Sequence, residues 1–158
     1  MIKAQVKDVD TSLYSIIKVV NIDTVYDTTY IRREEFEREA KEFLDIPDLS
    51  DSKIAERYAA DSAIYDESLN RVIVTYNAID PNEHYAKEQL LVTPNPGAKD
   101  IVTSLIIKYS KTTKDGSVIK DMLWTMDHNF QIVTMTQLPG QPEKVTTTKV
   151  IWNEEADQ

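Results

Sequence analysis

The second half of the chain alternates between apolar and polar residues, which is the pattern of antiparallel strands. The protein's three glycines, Gly97, Gly116 and Gly140, fall between alternating segments, where turns are expected. A slip of one residue would send the apolar set of a strand into water, so the alternation defines a buried face. The pattern predicts strands at residues 72–77, 85–93, 101–112, 118–126, 130–138 and 145–152.

A hairpin and helices are predicted before this region. Ile2, Val6 and Val9 have helical spacing, which predicts a truncated helix over residues 1–10. Residues 12–20 and 25–31 are rich in β-branched side chains and predict a hairpin. A helix is predicted over residues 33–44, and a shorter one from Ser50 or Asp51 to about residue 60. The apolar stripe of the longer helix consists of Phe36, Ala40, Phe43 and Leu44.

These elements predict a single α+β domain that spans residues 1–158. Its expected architecture is a curved antiparallel sheet of about six or more strands with two helices packed on one face. A chain of 158 residues can bury enough surface to fold without a metal or a disulfide. The acidic end, residues 153–158, is predicted to be frayed.

The composition makes nucleic acid a poor partner. The formal net charge is −9, from 27 acidic and 18 basic residues, and no stripe of basic residues offsets it. The chain has no cysteine, which excludes disulfides, thiolate metal sites and cysteine nucleophiles. The surface charge by itself indicates solubility.

The residues that could carry polar chemistry are dispersed. His84 and His128 are isolated in predicted turns, and neither has a second ligand at metal-binding spacing. Asp45, Asp48 and Asp51 recur at every third residue, which does not match the Ca²⁺-loop pattern and suits helix capping. We expect no metal and no cofactor. The sequence leaves open an acid–base enzyme built from dispersed Asp, Glu, Tyr or His residues.

An apolar set on the late strands is the candidate binding surface. Methionine adapts its shape, and tryptophan beside methionine can line a pocket for an apolar ligand. The pattern favours core packing beneath the helices for the same residues, and the sequence leaves the pocket open as the alternative. The candidate ligand-binding residues are Met122, Trp124, Met126, Met135 and Tyr109, and Val133, Tyr76 and Tyr85 extend the set.

Three segments resemble small exported domains of Bacteroidota that are known as uncharacterised, putative lipoproteins. The segments are residues 30–36 (YIRREEF), residues 43–49 (FLDIPDL), and the closing strands with Leu123-Trp124, FQIVTMTQ and KVIW. The resemblance implies export to the periplasm or the outer membrane, and it carries no known activity. Members of that family follow a signal peptide with a lipid-bearing cysteine, so we expect a membrane link only through an anchor absent from these residues.

The chain also opens in the middle of the Ile2–Val6–Val9 periodicity, from which we expect an export segment before Met1 in the natural protein. The sequence therefore predicts a non-catalytic binding or structural module of the cell envelope. Its partner would be an unknown protein or an apolar small molecule. The alternatives are a carrier of a lipid or other apolar ligand in a sheet-lined pocket, and a small-cavity enzyme that uses dispersed acid–base residues.

Overall fold

The computed structural model describes residues 1–153 and consists mainly of one antiparallel sheet. Ten strands form this sheet within the described residues, and neighbours in the order β2-β1-β10-β9-β8-β7-β6-β5-β3 are hydrogen-bonded, with β4 also paired to β5. The strands are β1 (Ile16–Ile22), β2 (Val25–Ile31), β3 (Tyr58–Ala60), β4 (Ile64–Asp66), β5 (Arg71–Ala78), β6 (Tyr85–Thr93), β7 (Ile101–Thr113), β8 (Gly116–Thr125), β9 (Asn129–Gln137) and β10 (Lys144–Ile151).

The predicted strands are confirmed, and the expected α+β class needs correction. The hairpin strand β2 and strand β6 have the predicted bounds, and the other late strands differ by a few residues. Ten strands agree with the expected six or more, but the fold is predominantly β because the described helices are few and short. Of the tail that was predicted to be frayed, residues 153–158, only Asn153 lies within the described residues.

The helices lie in the first part of the chain. They are α1 (Ile2–Thr11), α2 (Phe36–Glu39), α3 (Lys41–Leu44) and α4 (Ser52–Ala55), and a 3₁₀ turn at Arg33–Glu35 precedes α2. The predicted helices at the start and at residues 33–44 are confirmed, with a break in the second at Ala40, where ψ is 0°. Among residues 1–153, no helix combines the length and the hydropathy that a membrane crossing requires.

The predicted helix from residue 51 to residue 60 is wrong beyond its first turn. Asp51 caps α4 as expected, because its carboxylate accepts a hydrogen bond from the Lys53 amide at 2.9 Å. The chain then enters β3, where Tyr58 pairs with Ala78 and its hydroxyl donates to the Tyr85 carbonyl at 2.8 Å. Backbone pairing of residues 58–60 with β5 takes the place of further helical hydrogen bonds here. The second helix that packs on the sheet is therefore α1.

One face of the sheet, which we call the covered face, carries the core. Trp124 of β8 is fully buried and stacks on Phe130 of β9, with ring centroids 5.1 Å apart. Phe36 and Phe43 place the edges of their rings against Trp124 at 6.4 and 5.1 Å. Helix α1 adds Ile2, Val6 and Val9, and the other main members are Ile16, Leu105, Ile107, Met122, Ile132, Val150 and Trp152. We call the opposite surface the open face.

Polar contacts hold the helices at this position. Lys18 of β1 pairs with Glu39 of α2 at 2.7 Å, and Lys120 of β8 pairs with Glu42 of α3. The side chain of Gln5 joins α1 to the turn between β8 and β9. Its Oε1 accepts from the Asp127 amide at 2.6 Å and from Trp124 Nε1 at 3.5 Å, and its Nε2 donates to Asp127 Oδ1 at 2.8 Å.

The Gln5 contacts give a test of this docking. Gln5→Ala leaves the buried Trp124 Nε1–H without its acceptor, so we expect the free energy of unfolding to fall by about 1–2 kcal/mol. Urea denaturation monitored by tryptophan fluorescence measures the loss. Lys7→Ala, a change on the same helix at an exposed side chain, is the control and should cost less than about 0.5 kcal/mol. Equal losses in the two variants would contradict the proposed role of Gln5.

Candidate protein-binding edge

The predicted apolar set is divided between the two faces of the sheet. Met122 and Trp124 lie on the covered face and are 1% and 0% exposed. Met126 follows β8 and packs against the same core. Met135 lies opposite Ile119 in the β8–β9 register, three residues along each strand from the Met122–Ile132 pair. Because this spacing is odd, Met135 points to the open face, as does Val133. The set therefore does not form one surface.

Tyr109 lies on the covered face near the end of β7. Its ring contacts Tyr85 with centroids 5.1 Å apart, and Lys120 Nζ lies 5.5 Å from its centre. The ring of His84 is 5.9 Å away. Tyr109 thus belongs to a half-buried aromatic group at the margin of the core rather than to the surroundings of Trp124. Ligand binding by any of the five predicted residues stays a prediction.

Phe43, Phe130 and Trp152 occupy the space around Trp124, with ring centroids at 5.1–5.3 Å. Three clefts open elsewhere on the molecule, and Trp124 lines none of them. The largest, of about 850 Å³, runs between α1 and the helices that follow Arg33, and mixed charges line it, including Lys3, Lys7, Asp10 and Glu37. Within residues 1–153, none of these three clefts is lined by the predicted methionines Met122, Met126 and Met135.

The histidines are not gathered with other chemical groups. His128 Nδ1 lies 3.0 Å from the Asn153 carbonyl oxygen, and His84 is at the start of β6 beside Tyr109. Neither lines any of the three clefts. Within residues 1–153, no three His, Asp or Glu side chains converge as a metal site would require.

Among the carboxylates of residues 1–153, Glu88 is the one whose surroundings raise its pKa. It lies on the covered face of β6 opposite Ile107, and with Phe43, Ile46 and Leu105 it lines a cleft of about 160 Å³. Burial, and to a smaller extent the negative charge of Asp48, together raise the pKa of Glu88 to about 7. Sequence reasoning missed this residue, because an acid in an alternating strand normally indicates the solvent face.

The two edges of the sheet are protected very differently. At one edge, β3 and β4 are each three residues long, and both pair with the same side of β5, at its two ends. At the other edge, β2 is seven residues long and pairs with β1 along its whole length without a register shift. It contains no proline or lysine, and Asp27 is its one charged residue. Natural proteins usually protect edges with short strands, charges, prolines or bulges, and β2 has little of this protection.

Strand β2 exposes three large side chains. Tyr26 and Tyr30 are 72% and 80% exposed, and Val25 is 67% exposed. The register pairs Tyr30 with Ile17 and Tyr26 with Asn21, which places both tyrosines on the open face. On the open face, Ile17 of β1 lies opposite Ile151 of β10. Val19 is the next residue of β1 on this face, toward the position opposite Tyr26. An apolar strip thus continues from the edge onto the face of the sheet.

The free backbone groups of the edge follow from the hairpin geometry. Ile22 and Val25 close a two-residue turn at Asp23 and Thr24, with Asp23 at a positive φ of 55°. The pair that closes such a turn is hydrogen-bonded, and hydrogen-bonded pairs alternate along an antiparallel ladder. Val25, Asp27, Thr29 and Ile31 therefore bond to β1. The N–H and C=O groups of Tyr26, Thr28 and Tyr30 point away from the sheet.

Comparison of the chain with protein-family models, with curated proteins and with solved structures gave no match. The candidate site therefore rests on the geometry of the chain alone. Sequence reasoning identified residues 25–31 as a strand and missed that they are an edge. The sequence signal that could have drawn attention to them is two tyrosines at the spacing of one strand face, Tyr26 and Tyr30, in a segment with a single charge.

The raised pKa of Glu88 predicts how stability depends on pH. The folded state binds this proton more tightly than the unfolded state, whose reference pKa is 4.5. Below pH 4.5 the carboxyl group is protonated in both states and does not lower the free energy of unfolding. That free energy falls as the pH rises through about 7, where the buried group becomes charged. Glu88→Gln removes the charge, so we expect it to stabilise the protein at about pH 8 by roughly 1–2 kcal/mol and to have little effect at about pH 5.

Thermal unfolding of both proteins at the two pH values measures this difference. Glu67→Gln changes an exposed glutamate in a turn and serves as the control, for which we expect no difference between the two pH values. If Glu88→Gln did not change the stability at the higher pH, the burial of the charged Glu88 side chain would not destabilise the protein.

Proposed function

We propose that this chain is a non-catalytic protein-binding module that captures an extended segment of a partner along strand β2. The observation that carries the proposal is the combination of a filled core with a long, weakly protected sheet edge. An added strand would pair with backbone groups of Tyr26, Thr28 and Tyr30 that have no partner in the sheet. Strand addition of this kind obtains affinity from backbone hydrogen bonds and specificity from side chains on alternate positions.

The tyrosines supply the specificity. Tyrosine gives a large contact area with few rotatable bonds, and it is enriched where proteins bind each other. Tyr26 and Tyr30 point to the same face, so a partner with apolar or aromatic side chains at matching positions would contact both. Ile17 and Val19 extend the contact toward the body of the sheet.

Charge limits the kind of partner. The net charge of −9 repels acidic proteins, nucleic acid and anionic lipid at long range, so an acidic partner binds more weakly at low salt than a neutral or basic one. A position in the cell envelope, with attachment to a membrane through an anchor outside these residues, is part of the proposal and rests on the resemblance of residues 30–36, residues 43–49 and the closing strands.

The alternatives have less support. A carrier would need room beside Trp124, where the rings of Phe43, Phe130 and Trp152 lie. An enzyme would need His84 or His128 beside a carboxylate in a cleft, and neither histidine lines the three clefts. Glu88 has a raised pKa and lines a cleft of about 160 Å³, which acid–base chemistry could use, but the residues around it in that cleft are mostly apolar.

The test uses a blocked heptapeptide, Thr-Tyr-Thr-Thr-Thr-Tyr-Thr, titrated into ¹⁵N-labelled protein. Its fourth residue would lie opposite Thr28, with its tyrosines opposite Tyr26 and Tyr30. We expect the amide signals of these three residues to shift at millimolar peptide, because new hydrogen bonds form there, and the amides of β3 to stay in place.

Two methylated peptides make the test specific for backbone pairing. N-methyl groups on the second, fourth and sixth residues remove the donors that would face β2, and binding should be lost. N-methyl groups on the third and fifth residues face away from β2, and binding should persist. Equal binding by both analogues, or no shift along β2, would contradict the proposed function.

A further inference from the structure

We infer that strand β2 pairs with β2 of a second copy of this chain, antiparallel and centred on Thr28, to join two sheets across a twofold axis. This inference names the partner of the edge and so rests on the proposed function. It is carried by two independent observations, the order of residues along β2 and the position of its free backbone groups.

The sequence of β2 nearly reads the same in both directions. The strand is Val-Tyr-Asp-Thr-Thr-Tyr-Ile, with Thr28 at its centre. Antiparallel pairing of two copies about Thr28 places Tyr26 opposite Tyr30, Val25 opposite Ile31, and Asp27 opposite Thr29. Each residue meets one of matching size or polarity, and no charged residue lies opposite another of the same sign. A twofold interface requires this self-complementarity.

The free backbone groups fall in the same register. In an antiparallel pair, the residues that exchange both hydrogen bonds alternate with residues that exchange none. The outward N–H and C=O groups of β2 belong to Tyr26, Thr28 and Tyr30. Centring on Thr28 pairs Thr28 of one copy with Thr28 of the other, and Tyr26 of each copy with Tyr30 of the other. Every outward group of one copy therefore meets an outward group of the other. A shift by one residue would leave them all unpaired.

The side chains agree with this register as well. Residues directly opposite each other in a sheet point to the same face. Tyr26 and Tyr30 of both copies therefore gather on the joined open face, continuous with Ile17 and Val19. Cross-strand aromatic pairs and threonine pairs are among those that stabilise antiparallel ladders. The opposite edge lacks this property, because β3 is three residues long and has a buried tyrosine at one end.

Electrostatic repulsion opposes the association. Each copy carries a net charge of −9, and Asp27 of the two copies lies on the same joined face, two residues apart along the strands. The Debye length falls from about 30 Å in dilute salt to about 8 Å at physiological ionic strength. Added salt should therefore strengthen the dimer.

The experiment is sedimentation velocity of the purified full chain, from low micromolar to near-millimolar concentration, at low and at moderate salt. We expect a reversible monomer–dimer equilibrium that shifts toward the dimer in salt. Thr28→Lys places two lysines against each other at the axis and should weaken the dimer about tenfold or more. Thr29→Lys places each new lysine opposite Asp27 of the second copy and should leave the dimer as tight or tighter. Both positions are exposed, and circular dichroism checks that the variants fold.

A cysteine substitution tests the register itself, since the chain has no cysteine of its own. Thr28→Cys brings two sulfurs together at the axis, where the paired Cα atoms are about 5.5 Å apart and a disulfide can form. Thr29→Cys leaves its two copies about 8 Å apart, which is too far for a disulfide. We expect a covalent dimer on mild oxidation from the first variant, and much less from the second.

The outcomes separate this inference from the proposed function. A chain that stays monomeric at every concentration and salt, yet shifts its β2 amides with the heptapeptide, overturns the second copy as partner and leaves strand capture standing. A dimer that Thr28→Lys and Thr29→Lys weaken equally also overturns the inference, because it forms elsewhere. A chain that stays monomeric and whose β2 amide signals do not shift with the peptide overturns both the second copy as partner and strand capture.

Discussion

The packing of Phe36 and Phe43 onto Trp124 and Phe130 decides which side of this molecule is closed. These rings, with α1 over them, occupy the covered face from β1 to β7, and Trp124 lines none of the three clefts described above. Because the helices are committed to that face, the open face and the β2 edge are left available. The position of the proposed binding surface is therefore a consequence of where the core lies, because that surface is on the side that the core does not use.

The parts of the fold that could be predicted are those that depend on local pattern. Val-Tyr-Asp-Thr-Thr-Tyr-Ile is a strand because β-branched and aromatic residues favour one, and the stripe of Phe36, Ala40 and Phe43 is helical because of its spacing. The segment after Asp51 could not be predicted in the same way. Residues 58–60 have no strong pattern of their own and become a strand because β5 is there to pair with them.

The candidate site was harder to predict than the fold, because its character depends on pairing between distant residues. Whether β2 is an edge depends on the pairing of Ile17 with Ile151, which no local pattern encodes. Met135 was assigned to the surface of Trp124 because both lie on alternating strands, but the register of the β8–β9 hairpin puts them on opposite faces. Glu88 could not be predicted to face the core, because charged residues in an alternating strand normally mark the solvent face.

The pairing of β1 with β10 also has a consequence for biosynthesis. The first hairpin, residues 16–31, finds its neighbour in the sheet only when residues 144–151 have been made, since β10 is the last strand and β1 lies beside it. During translation the emerging chain therefore carries a hairpin with two unpaired sides, while β5 to β9 can pair in order behind it. Contacts so distant in sequence form slowly. The native sheet should therefore close only after residues 144–151 have left the ribosome, and until then a chaperone can hold the polypeptide extended.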